Sequence, residues 1–164
     1  MAKTYVPLAT QTLGSAAASV TSSSISGAYT DLVLVCNAAT TSGDQEWNMR
    51  LNGDTANNYS STYLSGNGTI AVSARETSRT QFFMQYYGYL GVNQGMNLIQ
   101  LMNYANTTTN KTLLSRAGNA NGSGLSAGVH LWRSTSAITT ILIYPTASTF
   151  IAGSVFSLYG LAAA

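Results

Sequence analysis

The last third of the chain, Gly128 to Leu161, most constrains what the sequence can fold into. It holds two apolar runs, Ile138–Tyr144 and Val155–Leu161, rich in β-branched and aromatic residues and separated by the turn-rich stretch Pro145–Gly153. Each run has strand length, and neither repeats at the i, i+3, i+4 spacing of an amphipathic helix. Val129–Trp132 reads as a third strand, cut off from the next by Arg133–Ser136. Strands this apolar belong inside a packed sheet and need the rest of the chain to cover them. Leu32–Cys36 is equally apolar and is expected to be their central partner, which folds the early sequence against the late.

The remaining segments also read as strands. Gln45–Asn52 alternates, with Trp47, Met49 and Leu51 on one face and Glu46, Asn48 and Arg50 on the other, as in a half-buried antiparallel strand. Asn52-Gly53 then has the φ > 0 chemistry of a tight hairpin, with Asn57–Leu64 as the return strand. Thr69–Arg75, Thr80–Leu90, Met96–Tyr104 and Lys111–Arg116 complete a series of about nine or ten short strands, punctuated by turns at intervals of about 8–12 residues. That rhythm predicts an all-β antiparallel sandwich or barrel. Residues 1–27 stand apart: Pro7 limits any strand there to a sheet edge. The small-residue stretch Gly14–Gly27 suits either an outer strand around Val20–Ile25 or an arm ordered by a neighbouring subunit. The main domain is therefore expected to span residues 28–164.

Composition narrows the function. Charged residues make up only 7% of the chain, against about 25% in ordinary domains. Surface polarity must then come from Ser, Thr and Asn, which suits strands with hydroxyl-bearing outer faces and a protein that rests against other protein. Lys3, Arg50, Arg75, Arg79, Lys111, Arg116 and Arg133 are scattered, and the net charge of +2 gives no electrostatic footprint for nucleic acid. No stretch approaches the ~20 apolar residues of a membrane-spanning helix, and the first residues lack the apolar core of a secretion signal. Synthesis in a cytoplasm is the expectation.

Catalytic and metal chemistry find little to work with. His130 is the only histidine and lies in a strand beside Leu131 and Trp132, where a hydrogen-bonded sheet residue is the default. No Gly-x-Ser-x-Gly elbow raises a hydrolase. One Cys and one His cannot make a zinc site. Asp44, Glu46 and Asp54 lie close together but read as two turn residues and one solvent-facing residue. Cys36, in the most apolar strand, reads as a small core residue. Asn-x-Ser/Thr triplets at Asn58, Asn67, Asn106, Asn110 and Asn121 are unsurprising in so Asn- and Thr-rich a chain. The expectation is a non-enzyme with no catalytic, cofactor or metal residues.

Several stretches resemble small virion proteins of tailed bacteriophages, cyanophages included. They are Tyr29–Val35, Arg50–Thr55 followed by Asn57–Ser60, Leu131–Thr135 with Ala137–Thr139, and the ending Phe150–Gly160. Residues 1–28 and Gly66–Gly128 carry no such match. The resemblance implies a jelly-roll structural protein of the particle: a head decoration (cement) protein in the virion, contacting the major capsid protein. A homotrimer is expected, because it fits the three-fold points of an icosahedral shell and the preference for closed symmetry. The rival expectation is a tail spike or fibre module that holds host glycan.

Overall fold

The computed structural model describes residues 4–43, 45–84, 91–119 and 124–162. Twelve strands follow in chain order: β1 (Tyr5–Thr12), β2 (Val20–Ser22), β3 (Asp31–Ala38), β4 (Trp47–Leu51), β5 (Tyr59–Gly66), β6 (Ala71–Arg79), β7 (Phe82–Phe83), β8 (Gly95–Met102), β9 (Lys111–Asn119), β10 (Leu125–Trp132), β11 (Ile141–Pro145) and β12 (Val155–Leu161). They form two antiparallel sheets arranged as a sandwich, one of eight strands in the order β1-β12-β3-β8-β9-β10-β5-β6 and one of four in the order β2-β11-β4-β7. The remainder of Thr80–Leu90, with Tyr86, Tyr87 and Tyr89, lies outside the described residues, as do Asp44 and Asn121; the described part of that expected strand is only β7.

The layers meet through aromatic and aliphatic side chains. Trp47 from the small sheet packs against Phe150 and Phe156, at ring-centroid distances of 5.5 and 6.2 Å. Tyr59 of the large sheet meets Phe82 of the small one edge-on at 4.8 Å. Leu32, Leu34, Ile141, Ile143, Phe156 and Leu158 are all buried, as their apolar segments require. Val35, expected with them, is half-buried, because alternation turns it to the outer face of β3 together with Val33.

Four expectations are corrected by the topology. Leu32–Cys36 does pair with Val155–Leu161, but Ile141–Pro145 belongs to the opposite sheet and β10 lies three strands away from β3. Asn52 and Gly53 both take positive φ (52° and 67°), so the tight turn forms; it does not close a hairpin. β4 and β5 lie in different sheets, and the turn carries the chain across the edge of the sandwich. The Asn52 side chain fixes that corner: Oδ1 accepts from the Thr139 and Thr140 N–H groups, and Nδ2 donates to the Ala137 carbonyl. Asn48, expected on a solvent face, is buried and donates to Thr146 Oγ1. Finally, Met96, Leu98, Met102 and Tyr104, expected to share one face, part company: Met96, Leu98 and Met102 of β8 face outward, Tyr104 beyond its end is buried, and Asn97, Ile99 and Leu101 face the core.

Residues 5–12 and 20–22 are edge strands hydrogen-bonded to the body, β1 along β12 and β2 along β11. Pro7 sits on the outermost strand, where its missing N–H costs no ladder bond, and the register shifts between Pro7 and Ala9. Such a bulge with a proline blunts an exposed edge.

Candidate interaction face

The residues that sequence singles out for chemistry are held inside the sandwich. His130 is fully buried on the inner face of β10, with Nε2 2.8 Å from Ser115 Oγ and Nδ1 2.8 Å from Ser61 Oγ. A neutral imidazole offers one donor and one acceptor, which these two hydroxyls match. Desolvation by burial pushes its pKa down to about 4. Gly128 is needed beside it, since a β-carbon there would lie 2.9 Å from His130 Nε2. A serine, a histidine and a second serine thus line up without a carboxylate and without an opening to solvent. Ser65 and Ser126 continue the same inner face, hydrogen-bonded at 2.9 Å.

Asp54 organises a loop. It accepts from Trp132 Nε1 (2.7 Å), Asn58 Nδ2 (2.9 Å) and the Ala56 N–H (2.8 Å). Partial desolvation works against ionisation, but these three donors outweigh it and hold the carboxyl below the usual range. Desolvation, reinforced by Glu76 and opposed by Arg79, raises Glu46. Cys36 is buried, and burial pushes its thiol up, away from thiolate reactivity. Lys111 lies on the buried face of β9, where Nζ donates to the carbonyls of Thr109 (2.7 Å) and Thr135 (3.1 Å). Among the described residues, no cluster of His, Cys, Asp or Glu could hold a metal ion.

What sequence reasoning missed is the outer face of the large sheet. Of the nine exposed large apolar side chains among the described residues, seven lie there: Tyr5, Leu64, Met96, Met102, Leu114, Leu125 and Val129. The exposures are high, 64% for Leu64 and 60% for Leu125. On β5, β9 and β10 the inner face mixes polar side chains with Tyr59, Tyr63, Leu113 and Trp132, while the outer face is unusually apolar. Ser61, Ser65, Ser115, Ser126 and His130 point inward, and Leu64, Leu114, Leu125 and Val129 point out. The expected Ser/Thr outer face is here reduced to a few residues, such as Thr62 and Thr112, among the apolar ones. A signal existed in Leu113-Leu114: adjacent leucines on a strand must face opposite ways, so one of them leaves the core.

Two shallow troughs cross this face. One, of about 460 Å³, is lined by Leu64, Leu98, Leu114, Ala127 and Val129 among others. The other, of about 380 Å³, lies between Tyr5, Tyr159, Val33 and Val35. Gln100 and Arg116 line both. No protein-family model and no curated protein matches the chain. Among solved structures it is similar to the marine PL-14 alginate lyase from Aplysia kurodai, at 9% identity over 84% of this chain and 70% of that one, with a TM-score of 0.30.

Proposed function

We propose that this protein is a non-enzymatic structural component of a tailed-phage virion, a head decoration protein of jelly-roll type that contacts the major capsid protein. The observation that carries the reading is the apolar outer face: Leu64, Leu114, Leu125 and Val129 point to solvent on three adjacent strands of a charge-poor chain, while serines and a histidine occupy inner positions. Exposed contiguous apolar surface on this scale marks a protein interaction site. Burying it adds about 25 cal/mol per Å² of apolar area. In a shell, such an interface is repeated many times over, so modest contacts suffice.

The strand pairing supports the jelly-roll reading. With the hairpins β5–β6 and β9–β10 set aside, eight strands remain. Counted in chain order, the first pairs with the eighth (β1–β12), the second with the seventh (β2–β11), the third with the sixth (β3–β8) and the fourth with the fifth (β4–β7). A long hairpin rolled up into two sheets pairs in this way. The two extra hairpins then extend one sheet, and they carry Leu64, Leu114, Leu125 and Val129. The phage-like motifs fall mainly on the rolled strands and the β10 end, while most of the apolar face falls on the unmatched middle of the sequence.

A trimer suits the opposite end of the large sheet. From Ala9 to Thr12 β1 is exposed on both of its faces, and a cleft of about 430 Å³ opens between β1 and β2, with Phe156 and Leu158 at its base. A neighbouring subunit would cover these free edges. A second reading, a glycan-holding tail module, draws on one observation: Tyr5 and Tyr159 stand edge-to-face at 6.4 Å beside Gln100 and Arg116. Quantitative counting of the protein in purified virions separates the two. Hundreds of copies per particle are expected of a decoration protein; a few copies would overturn that reading in favour of the tail.

A further inference from the structure

The basic side chains of the described residues divide into two sets. Arg50 donates to the Thr80 carbonyl and Gln81 and lies over the Tyr144 ring. Arg79 pairs with Glu76 and covers Phe83. Lys111 caps two carbonyls, and Arg133 binds Ser60 Oγ and the Asn57 carbonyl. Arg75 and Arg116 have no hydrogen bond, ion pair or ring contact among the described residues. Both lie on the outer face of the large sheet, Arg116 opposite Leu98 and Ala127, Arg75 opposite Thr62.

Among the described residues, no carboxylate on that face is free to answer them. The one present, Asp31, accepts the Asn103 N–H at 2.6 Å and lies four residues along the strand direction from the Arg116 row, roughly 16 Å away from strand spacing and rise. Glu76 is already paired with Arg79. A guanidinium covered by an apolar partner without a counter-charge would pay a heavy desolvation cost. A face whose two unpaired charges have the same sign is also not complementary to itself, which argues against a second copy as its occupant. Two cations, roughly 16 Å apart by the same geometry, do not make the dense basic cluster of an anionic membrane site.

From this we infer that the outer face of the large sheet docks a different protein chain, whose surface is aliphatic and carries carboxylates placed to meet Arg116 and Arg75. Leu64, Leu114 and Val129 form the dry surround, and Arg116, at the junction of both troughs, is the orienting anchor. A planar guanidinium enclosed by such a surround binds a carboxylate in two-point geometry. The inference rests on the decoration reading for the identity of the partner, the capsid shell, and adds the surface and its chemistry.

The test uses purified shells lacking this protein, to which the full chain is added back. Compared are the wild type, Arg116→Glu, Arg116→Lys, Val129→Asp and, as a control away from both the outer face and the β1–β2 cleft, Ala147→Glu in the exposed turn after β11. Each is first shown to melt as the wild type does, since none of the altered groups is buried. The wild type and Ala147→Glu are expected to bind alike. Arg116→Glu and Val129→Asp should bind at least about 30-fold more weakly, the loss typical of one broken desolvated charge pair, with Arg116→Lys in between. Binding of all variants at wild-type strength would overturn the inference and leave the decoration reading intact. Failure of the wild type itself to bind would overturn both. Sedimentation of the free protein closes the alternatives: self-association abolished by Arg116→Glu, or co-sedimentation with phosphatidylserine vesicles abolished by it, would assign the face to a second copy or a membrane and overturn the inference.

Discussion

Acidification should loosen the sandwich through His130, and the size of the effect follows from its surroundings. The imidazole is wholly buried between Ser61 and Ser115, edge-on to Phe82 at 5.4 Å. Its folded pKa of about 4 lies below the ordinary 6.5. The sign follows from proton counting: between the two values the unfolded chain binds the proton that the folded chain refuses, so stability rises with pH. The contribution is complete above about pH 6.5 and is lost as pH falls towards 4. From about pH 7.5 to about pH 5 the linkage relation gives a loss of about 2 kcal/mol. For a chain of this length that is a drop in Tm of about 4–8 °C. Urea unfolding at both pH values, on the wild type and on His130→Gln, measures it. The substituted protein has its own baseline stability, and only the change with pH is compared. Glu46 and Asp54 titrate in both proteins and cancel. An equal pH dependence in the two would refute the account of His130 as a neutral, desolvated strut.

Other outcomes can be checked alongside. Phe156→Ala removes a ring packed on Trp47 and Phe150 and should cost about 3–5 kcal/mol in chemical denaturation. Gly160→Ala should destabilise although it adds only a methyl group, because the new carbon would lie 2.4 Å from the Tyr29 ring; Gly160→Ala with Tyr29→Ala should recover part of the loss, and no recovery would show that the clash is elsewhere. Retention of the protein on particles should persist as NaCl rises to about 1 M, where the Debye length is about 3 Å, because apolar burial supplies most of the affinity; release of most copies would contradict this.

The legible parts of the fold were those where apolar content and burial agree. Val155–Leu161 and Leu32–Cys36 are mostly apolar, and they pair side by side in the large sheet. Trp47, Met49 and Leu51 alternate, and all three are buried. Turn chemistry was legible only locally. Asn52-Gly53 dictated positive φ but not which strands it joins, since that depends on the distant residues 137–140 that hold the Asn52 amide. The interaction face was hidden for a related reason. Reading burial from hydrophobicity puts Leu114 in and Ser115 out, yet the buried histidine needs hydroxyl partners, and Ser61 and Ser115 supply them from both neighbouring strands. Once those serines are inside, the period of two sends the leucines out.

The rolled pairing also sets how this chain can come into being. Tyr5 lies opposite Leu161, and β3, at the centre of one half, is flanked by β8 and β12. During synthesis, therefore, β1 has no partner until β12 has left the ribosome, and β2 must wait for β11. Loop-closure entropy has to be overcome before such distant pairings are rewarded, so folding is slow and late, in the millisecond-to-second range typical of sandwiches. Until then the half-made product displays unpaired edges and leucine-rich strands to its neighbours. Several ribosomes on one message would hold several such chains close together, and the blunted, proline-bearing β1 is the part of the design that keeps them from pairing with each other before each has closed on itself.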